Sequence, residues 1–405
     1  MLEQGEFYAM HYNSIHDVPQ AEWNKLAGSL HAFLSPAYLS SLEDAHDSRL
    51  DLRYAMFKNG EGQCIGIAAF QITHFITSES AYGSALIRRL SQLTRYLRKG
   101  HIHNILIAGN TFATGRHGFQ FIPAVHAQTQ AHLVLDAMMH IAAQEKKQGR
   151  RICAMLAKDF YPPERGLSDA LANRRFSSFS VDHNMVMPVL SEWKTFEDYL
   201  SALNTKFRTK AKASLKRSAE LEIKLLTAAD VHLMAARMQQ LYEDVHEKAD
   251  FKLGKMNVLA LAGIISKMPD TFCLKGFFYQ HELVGFSTAM RCGNSLEAHV
   301  IGIDYERNKV LGIYQRMLYE YVNMAIEQKC TNIVFGRTAA EIKSTVGAFP
   351  VDLTISVFHN RRISNALLNL ILGYVKPTPY AQREPWRAEV LPAISQIALN
   401  PIHQV

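Results

Sequence analysis

The sequence has 405 residues, of which 48% are hydrophobic and 20% charged, a composition typical of a globular protein rather than a disordered chain. Lys and Arg outnumber Asp and Glu by 44 to 37, so an anionic partner is expected. No stretch reaches the roughly 20 apolar residues that span a bilayer, and the five cysteines lack metal-ligand spacing, so neither a membrane-spanning segment nor a bound metal is expected.

The N-terminus and the cysteines indicate the cellular compartment. The first residues lack the basic start, apolar block and small-residue cleavage site of a signal peptide, so secretion is not expected. The cysteines are odd in number and mostly lie in apolar runs, which is typical of buried thiols in a reducing environment. We therefore predict a cytoplasmic protein.

The first half of the chain predicts a β-hairpin that is followed, further on, by an amphipathic helix and a strand. Its glycine-containing turn around Gly115 favours a second, shorter hairpin over a phosphate-binding loop, because no Lys-Ser/Thr pair follows. The predicted elements are helices in 13–50, strands in 52–57 and 64–70, a strand, turn and strand in 104–121, a helix in 133–148 and a strand in 151–156.

A basic amphipathic helix is predicted in residues 77–99. Over 84–99 its leucines form an apolar stripe, and the remaining faces carry five basic residues and no acid: Arg88, Arg89, Arg95, Arg98 and Lys99. Residues 364–374 form a second apolar patch with basic edges. Helices of this kind lie among lipid headgroups, so we predict peripheral contact with an anionic membrane surface. The alternative is that both stripes pack on the protein core and the charges face water.

The second half repeats the plan of the first. Apolar runs in 272–279 and 283–290 predict another hairpin, and a helix in 312–328 and a strand in 332–335 follow it. We predict an α+β (α/β) fold of two related units, each a mixed, mostly antiparallel sheet flanked by helices. The predicted boundaries are 1–190 for the first unit, 191–385 for the second and 386–405 for a tail.

A long basic helix is predicted to begin the second unit, in residues 195–221. Leu200, Leu203 and Phe207 lie on its apolar face. No acidic residue occurs between Asp198 and Glu220, and the remaining faces carry Lys206, Arg208, Lys210, Lys212, Lys216 and Arg217. The cluster indicates either contact with an anionic partner or a solvated helix face.

A possible anion site is predicted where a strand in 296–303 leads into the next helix. A polar turn in 304–309 carries Arg307 and Lys309, and Gly312 is predicted to begin the helix. Unpaired backbone N–H groups and the helix dipole attract phosphate at such a point, and a glycine lets a ligand approach the backbone closely.

Residues 299–349 resemble the GNAT superfamily of acyl-CoA N-acyltransferases, in particular its FemAB-like, peptidoglycan-biosynthesis branch. The resemblance lies in Asp304, Arg307 and Gly312, the run Phe335-Gly336-Arg337, and Lys343. Residues 193–212 also resemble the first helix of that branch. Members often carry two GNAT units in tandem, which agrees with the repeated plan. The first unit matches by architecture alone and has no comparable loop, so it is expected to be degenerate and to lack a donor site.

The resemblance implies transfer of an acyl group from acyl-CoA, or from acyl carrier protein, to an amine acceptor such as a lipid or cell-envelope precursor, without a metal. Glu297 and His299 lie two apart on one strand face, and either one is the implied general base. The implied donor-binding residues are Val300, Ile301, Arg307, Asn308, Lys309, Leu311, Gly312 and Ile313. Tyr314, Arg337 and Lys343 are implied to bind the acceptor.

Two departures from the family pattern keep other functions open. The first glycine of the pyrophosphate loop is replaced by Val310, and Val334 stands where an Asp usually precedes Phe335. One alternative is a FemAB-like transferase that takes its donor from aminoacyl-tRNA, with the basic helix on RNA phosphates. Another is a non-catalytic binding protein that keeps the fold.

Overall fold

The structure is a computed structural model that describes residues 7–28, 30–47, 49–76, 102–180, 182–248, 254–360, 365, 372 and 378–398. The described residues form two compact units. The first unit is drawn from Met1–Asp182, Ala249–Asn257 and Asp352–Pro377, and the second from His183–Lys248, Val258–Val351 and Thr378–Val405. None of the helices described is both long and apolar enough to cross a membrane.

The first unit contains one mixed sheet. Its strands are β1 (Tyr8–Tyr12), β2 (Leu50–Lys58), β3 (Cys64–Ile76), β4 (Ile102–Ala108), β5 (Phe119–Phe121), β6 (Ile152–Phe160), β7 (Ser177–Ser180) and β15 (Thr354–His359). They lie in the order β1-β2-β3-β4-β6-β15-β7, with β5 paired to β3. All neighbours are antiparallel except β4 and β6, which are parallel.

Helix α3 (Ala127–Lys147) makes the parallel crossover from β4 to β6 in the first unit. It is amphipathic, and Val134, Met138 and Ile141 recur at helical spacing in the core against the sheet. The other α-helices whose bounds lie within the described residues of this unit are α1 (Gln20–Ala27), α2 (Pro36–Asp44) and α4 (Arg165–Ala172).

The second unit also contains a mixed sheet. Its strands are β8 (Asn184–Pro188), β9 (Glu222–Leu225), β10 (Phe272–Tyr279), β11 (Glu282–Cys292), β12 (Ser295–Ile303), β13 (Asn332–Val334) and β14 (Phe349–Val351). They lie in the order β14-β8-β13-β12-β11-β10-β9. The only parallel pair among the described residues is β12 with β13, and the others are antiparallel.

Helix α10 (Ile313–Glu327) makes the corresponding crossover from β12 to β13. Met317, Leu318 and Tyr321 place its apolar face in the core of the second unit. The other helices are α5 (Phe196–Ala202), α6 (Thr205–Arg217), α7 (Ala228–Lys248), α8 (Leu259–Lys267), α9 (Tyr305–Leu311), α11 (Ala340–Thr345) and α12 (Leu391–Ala398).

These sheets confirm the predicted fold class and the repeated plan. In each unit a hairpin and a third antiparallel strand lead through a crossover helix to a parallel strand, as β2-β3-β4-α3-β6 and as β10-β11-β12-α10-β13. The second hairpin turns at Gln280 and His281, which both have positive φ, as the right-handed twist of paired strands favours.

Sheet membership differs from the predicted domain boundaries at two strands. β15 falls in the range predicted for the second unit, yet it pairs with β6 and β7 in the first sheet. β8 falls in the range predicted for the first unit, yet it pairs with β13 and β14 in the second sheet. Residues of the predicted tail belong to the second unit, where Trp386 is buried in the core.

The predicted basic helix is two helices, α5 and α6, with a break at Leu203 and Asn204. Leu203 has an extended backbone, and the Asn204 side chain accepts a hydrogen bond from the N–H of Phe207, which caps α6. The other predicted basic helix, with Arg88, Arg89, Arg95, Arg98 and Lys99, lies outside the described residues, as does most of 364–374.

Candidate functional site

The parallel strands of the second unit separate partway along β12. Three residue pairs join β12 to β13, and the last of them is Glu297 with Val334. β13 ends there, whereas β12 continues to Ile303. Beyond Glu297, the edge of β12 that faces β13 therefore has no neighbouring strand among the described residues. A gap at the carboxyl ends of parallel strands is where α/β sheets commonly bind ligands.

A β-bulge lies on β12 beside this gap. Two residues, His299 and Val300, face the single residue Thr288 of β11. The backbone N–H of Val300 donates to the Thr288 hydroxyl (2.7 Å), and that hydroxyl donates to the Val300 carbonyl (2.9 Å). The amide of Val300, which was predicted to contact the donor, is thus already bonded within the sheet.

The backbone of Ile301 faces the open edge instead. The N–H groups of Val300 and Asp304 both point toward β11, where they donate to Thr288 and to the Val284 carbonyl. Amide directions alternate along a strand, so the N–H of Ile301 points to the edge that β13 leaves uncovered.

Glu297 is a buried carboxyl group at the start of the gap. Its exposed fraction is 7%, and no described residue forms an ion pair with it. Burial raises its pKa to about 8, because the charged form is poorly solvated there. A carboxyl group with such a pKa exchanges a proton near neutral pH, as a general base must.

His299 is half-buried on the same face of β12. Leu296 and Ala298 pack into the core with α10, so the alternating residues Glu297 and His299 face the other way. Burial lowers the pKa of His299 to about 3, and the imidazole is neutral at physiological pH. Its ring meets the Phe272 ring edge-on, with the centroids 6.3 Å apart.

Lys343 on α11 is buried at the end of β13. Its exposed fraction is 3%, and its Nζ donates to the carbonyls of Phe335 (2.7 Å) and Gly336 (3.1 Å). Burial lowers its pKa to about 7. This lysine was predicted to bind the acceptor, but its amine is directed into the protein, where it binds α11 to the strand end.

The predicted phosphate-binding turn is a helix. The Asp304 carboxylate accepts from the N–H groups of Glu306 and Arg307, both at 3.1 Å, and so caps α9. Arg237 holds that carboxylate in place with a 2.8 Å ion pair. The polar residues read as an open turn therefore form α9, and the expectation of a turn is corrected.

The side chains of α9 do not converge on an anion site. The guanidinium of Arg307 stacks over the Tyr279 ring at 5.5 Å, and Lys309 pairs with Glu306 at 2.8 Å on the surface. The Asn308 side chain accepts from the N–H of Tyr314 at 2.8 Å and caps the start of α10. These three predicted donor-binding residues serve local structure.

Gly312 joins α9 to α10 in the left-handed conformation (φ +64°), which favours glycine. A Cβ at this position would overlap the guanidinium of Arg217. The space that was predicted to admit a ligand is therefore taken by a side chain from α6. Leu311 and Ile313, on either side, are buried in the core.

A pocket of about 360 Å³ lies between α6, the first half of α10, and α11. Phe207, Lys210, Ala213, Ser214 and Arg217 line it from α6. Gln315, Tyr319, Ile342 and Thr345 line it from the other helices. The charge of α6 is evident from the sequence, but this pocket is not, because its opposing wall comes from residues about a hundred positions further along the chain.

The two remaining predicted residues lie at different points of the second unit. Tyr314 is half-buried against the core near the start of α10, and burial raises its pKa. Arg337 follows Gly336, just past the end of β13. The structure thus groups Glu297, His299 and Ile301 at the strand gap.

The corresponding parallel strands of the first unit do not separate. β4 stays paired with β6 as far as Ala108. Just beyond, the buried Lys158 amine donates to the carbonyls of Asn110 (2.7 Å) and Ala113 (2.8 Å). It also pairs with Asp159 at 2.6 Å. The strand ends of the first unit are therefore filled by the protein itself.

No protein-family model and no curated protein matches the sequence. Solved structures of low identity are similar to it. FemX is 11% identical, with 90% of this chain and 100% of that chain covered and a TM-score of 0.49. L-PGS from Bacillus licheniformis is 11% identical, with 89% and 98% covered and a TM-score of 0.49. A tandem GNAT protein from the clavulanic acid biosynthesis pathway is 9% identical, with 87% and 98% covered and a TM-score of 0.48.

Proposed function

We propose that the second unit is an N-acyltransferase that moves an acyl group from a thioester of CoA, or of acyl carrier protein, to an amine. The observation that carries the proposal is the buried carboxyl group of Glu297, which lies where β12 and β13 separate and whose pKa is about 8. The resemblance of residues 299–349 to GNAT enzymes supports the same assignment.

The proposed reaction forms a C–N bond and breaks a C–S bond. The acceptor must lose a proton before or during its attack on the thioester carbonyl, and Glu297 accepts that proton directly or through a water molecule. The sulfur leaves as the thiolate, to which the proton is returned. His299 is the other candidate base, because its imidazole is neutral at physiological pH.

Attack on the thioester places negative charge on its carbonyl oxygen, and a hydrogen-bond donor must stabilise that charge. The N–H of Ile301 is suited to this role because it points to the uncovered edge of β12. A preorganised backbone donor of this kind typically contributes about 10²- to 10³-fold in rate. The bulge at Thr288 fixes this orientation, since it holds the neighbouring amide of Val300 in the sheet.

A thiol-release assay tests the proposal. The protein is incubated with acetyl-CoA and longer acyl-CoAs and with a panel of soluble and lipid amines, and products are identified by mass spectrometry. The matched control is Glu306→Gln, which removes an exposed carboxylate from α9. Acylated amine from the parent protein and from this control, with none from Glu297→Gln, supports the proposal. Absence of any acylated product from the parent overturns it.

One observation favours a second candidate, the aminoacyl-tRNA-dependent transferase. Lys206 and Lys216 are exposed on α6 and no described carboxylate pairs with either, so their charges are available to RNA phosphates. A filter-binding assay with aminoacyl-tRNA at low and high salt tests this function. Salt-sensitive binding that weakens when these lysines are neutralised, together with transfer from aminoacyl-tRNA and none from acyl-CoA, would establish it in place of the first proposal.

A further inference from the structure

The pocket beside α6 is lined on one side by a polar helix face. Phe207, Lys210, Ser214 and Arg217 follow one another at intervals of three and four, so they share one face of the helix. A helix face directed at a neighbouring helix is ordinarily apolar. Here two cations and a hydroxyl group line the space between α6 and α10.

Ser214 is the least expected member of this face. Its exposed fraction is 6%, and its hydroxyl oxygen has no hydrogen-bond partner among the described residues. Such a hydroxyl costs free energy in the unliganded protein. Its oxygen is itself buried, so a ligand oxygen would become its partner where a neighbouring side chain at the pocket wall moves aside.

The two cations of the pocket also lack acidic partners. No described carboxylate pairs with Lys210 or Arg217, and no acidic residue lines the pocket. The Arg217 guanidinium lies against Gly312, next to the start of α10, where the helix dipole adds positive potential. Guanidinium, ammonium and hydroxyl groups around one space are the donors that bind phosphate oxygens.

The pocket also offers surfaces for an apolar or planar group. On α6 the Phe207 ring lies beside the Lys210 amine at 5.5 Å, and on α11 Ile342 is 41% exposed. Tyr319 on α10 is buried, and its hydroxyl accepts a 3.4 Å hydrogen bond from Gln315. The volume of about 360 Å³ falls at the lower end of the range for small-ligand sites.

We infer that this pocket is the phosphate subsite of the donor and that Lys210, Ser214 and Arg217 bind the diphosphate of a CoA-type nucleotide thioester. The inference rests on the proposed function for the nature of the ligand. It transfers the anion-binding role from the Arg307–Gly312 segment to α6. The occupied space at Gly312 and the local roles of Arg307, Asn308 and Lys309 agree with that transfer.

Calorimetric titration of the whole chain with CoA, and separately with inorganic pyrophosphate, tests the inference. The variants are Arg217→Ala and Ser214→Ala, and the control is Lys224→Ala, which removes an exposed cation from β9. We expect Arg217→Ala to weaken binding of both probes at least about tenfold, because a charge-assisted hydrogen bond is lost. Ser214→Ala should weaken binding about threefold or more without lowering the melting temperature, and the control should bind as the parent does.

The outcomes separate this inference from the proposed function. CoA binding that depends on Arg217 and Ser214, without acyl transfer to any amine, would overturn the function and keep the subsite. Acyl transfer with an unchanged KM for acyl-CoA in both variants would overturn the subsite and keep the function. Failure of the parent to bind either probe overturns the subsite, and so does binding of an aminoacyl-tRNA acceptor stem in place of CoA.

Discussion

Glu297 lies opposite Val334 in the last pair of the parallel ladder, and its carboxyl group is buried at the point where the two strands separate. Burial without a cationic partner raises its pKa into the range of general bases. The same separation exposes the edge of β12 that carries the N–H of Ile301. One structural feature thus brings the proposed base and the proposed oxyanion donor to one gap.

Gly312→Ala tests the relationship between Gly312 and Arg217. The added Cβ overlaps the guanidinium, and a positive φ costs a non-glycine residue roughly 1 to 2 kcal/mol. We expect a comparable loss in the free energy of unfolding, measured in urea, and weaker CoA binding because Arg217 is displaced. The control is Gly149→Ala, where φ is also positive but a Cβ meets nothing within 4 Å. Equal CoA affinity in Gly312→Ala and the parent would show that the position of Arg217 does not matter.

Thr288→Val tests the bulge. Valine keeps the shape of threonine but leaves the buried N–H of Val300 without its acceptor, at a cost of about 1 to 3 kcal/mol. We expect that loss of stability in a urea titration and a fall in turnover, because the bulge orients Ile301. Thr331→Val, which removes a hydroxyl near the surface of the same unit, should cost less. Similar losses in the two variants would argue against a specific role for the bulge.

Lys343→Met tests the buried amine through pH. Burial lowers the pKa of Lys343 from 10.5 to about 7. Between these values the unfolded chain holds a proton that the folded protein lacks, so the parent gains stability as pH rises. Relative to Lys343→Met, its free energy of unfolding should rise with pH above about 7, by up to about 1.4 kcal/mol per pH unit. A difference that stays flat between pH 6 and 9 would show that the amine is not desolvated.

Peripheral membrane contact is a proposal that rests on the helix predicted in residues 77–99, which lie outside the described residues. Each of Arg88, Arg89, Arg95, Arg98 and Lys99 would add roughly 1 kcal/mol of attraction to an anionic leaflet. We expect sedimentation with anionic vesicles at low salt and release at high salt. Binding that is absent, or that persists unchanged when all five residues are neutralised, would leave a soluble amine as the better acceptor.

The repeated hairpins and crossover helices could be predicted because local apolar periodicity encodes them. Contacts between residues that are distant in sequence could not be predicted in this way. Residues 304–309 form a helix because Asp304 caps it and Arg237, from α7, holds that cap. The pairing of β15 in the first sheet depends on β6 and β7, from which it is far removed in sequence.

The candidate site was predicted in part, for the same reason. Strand alternation placed Glu297 and His299 on one face, whereas Ile301 was a donor-binding residue implied by the family resemblance alone. Neither could reveal the bulge that engages Val300, because Thr288 lies on another strand. The charges of α6 were visible in the sequence, but only the packing of α6 against α10 shows which of them line a pocket.

The pH dependence of kcat/KM for acyl-CoA, compared between the parent and Glu297→Gln, is the sharpest test of Glu297 as the general base. The parent rate should rise with pH to a plateau above about pH 8, where Glu297 is ionised. Glu297→Gln should lose about 10²- to 10⁴-fold and show no such rise, while Glu306→Gln keeps both. A Glu297→Gln variant that retains the parental rate and the same rise would contradict the assignment of Glu297 as the base.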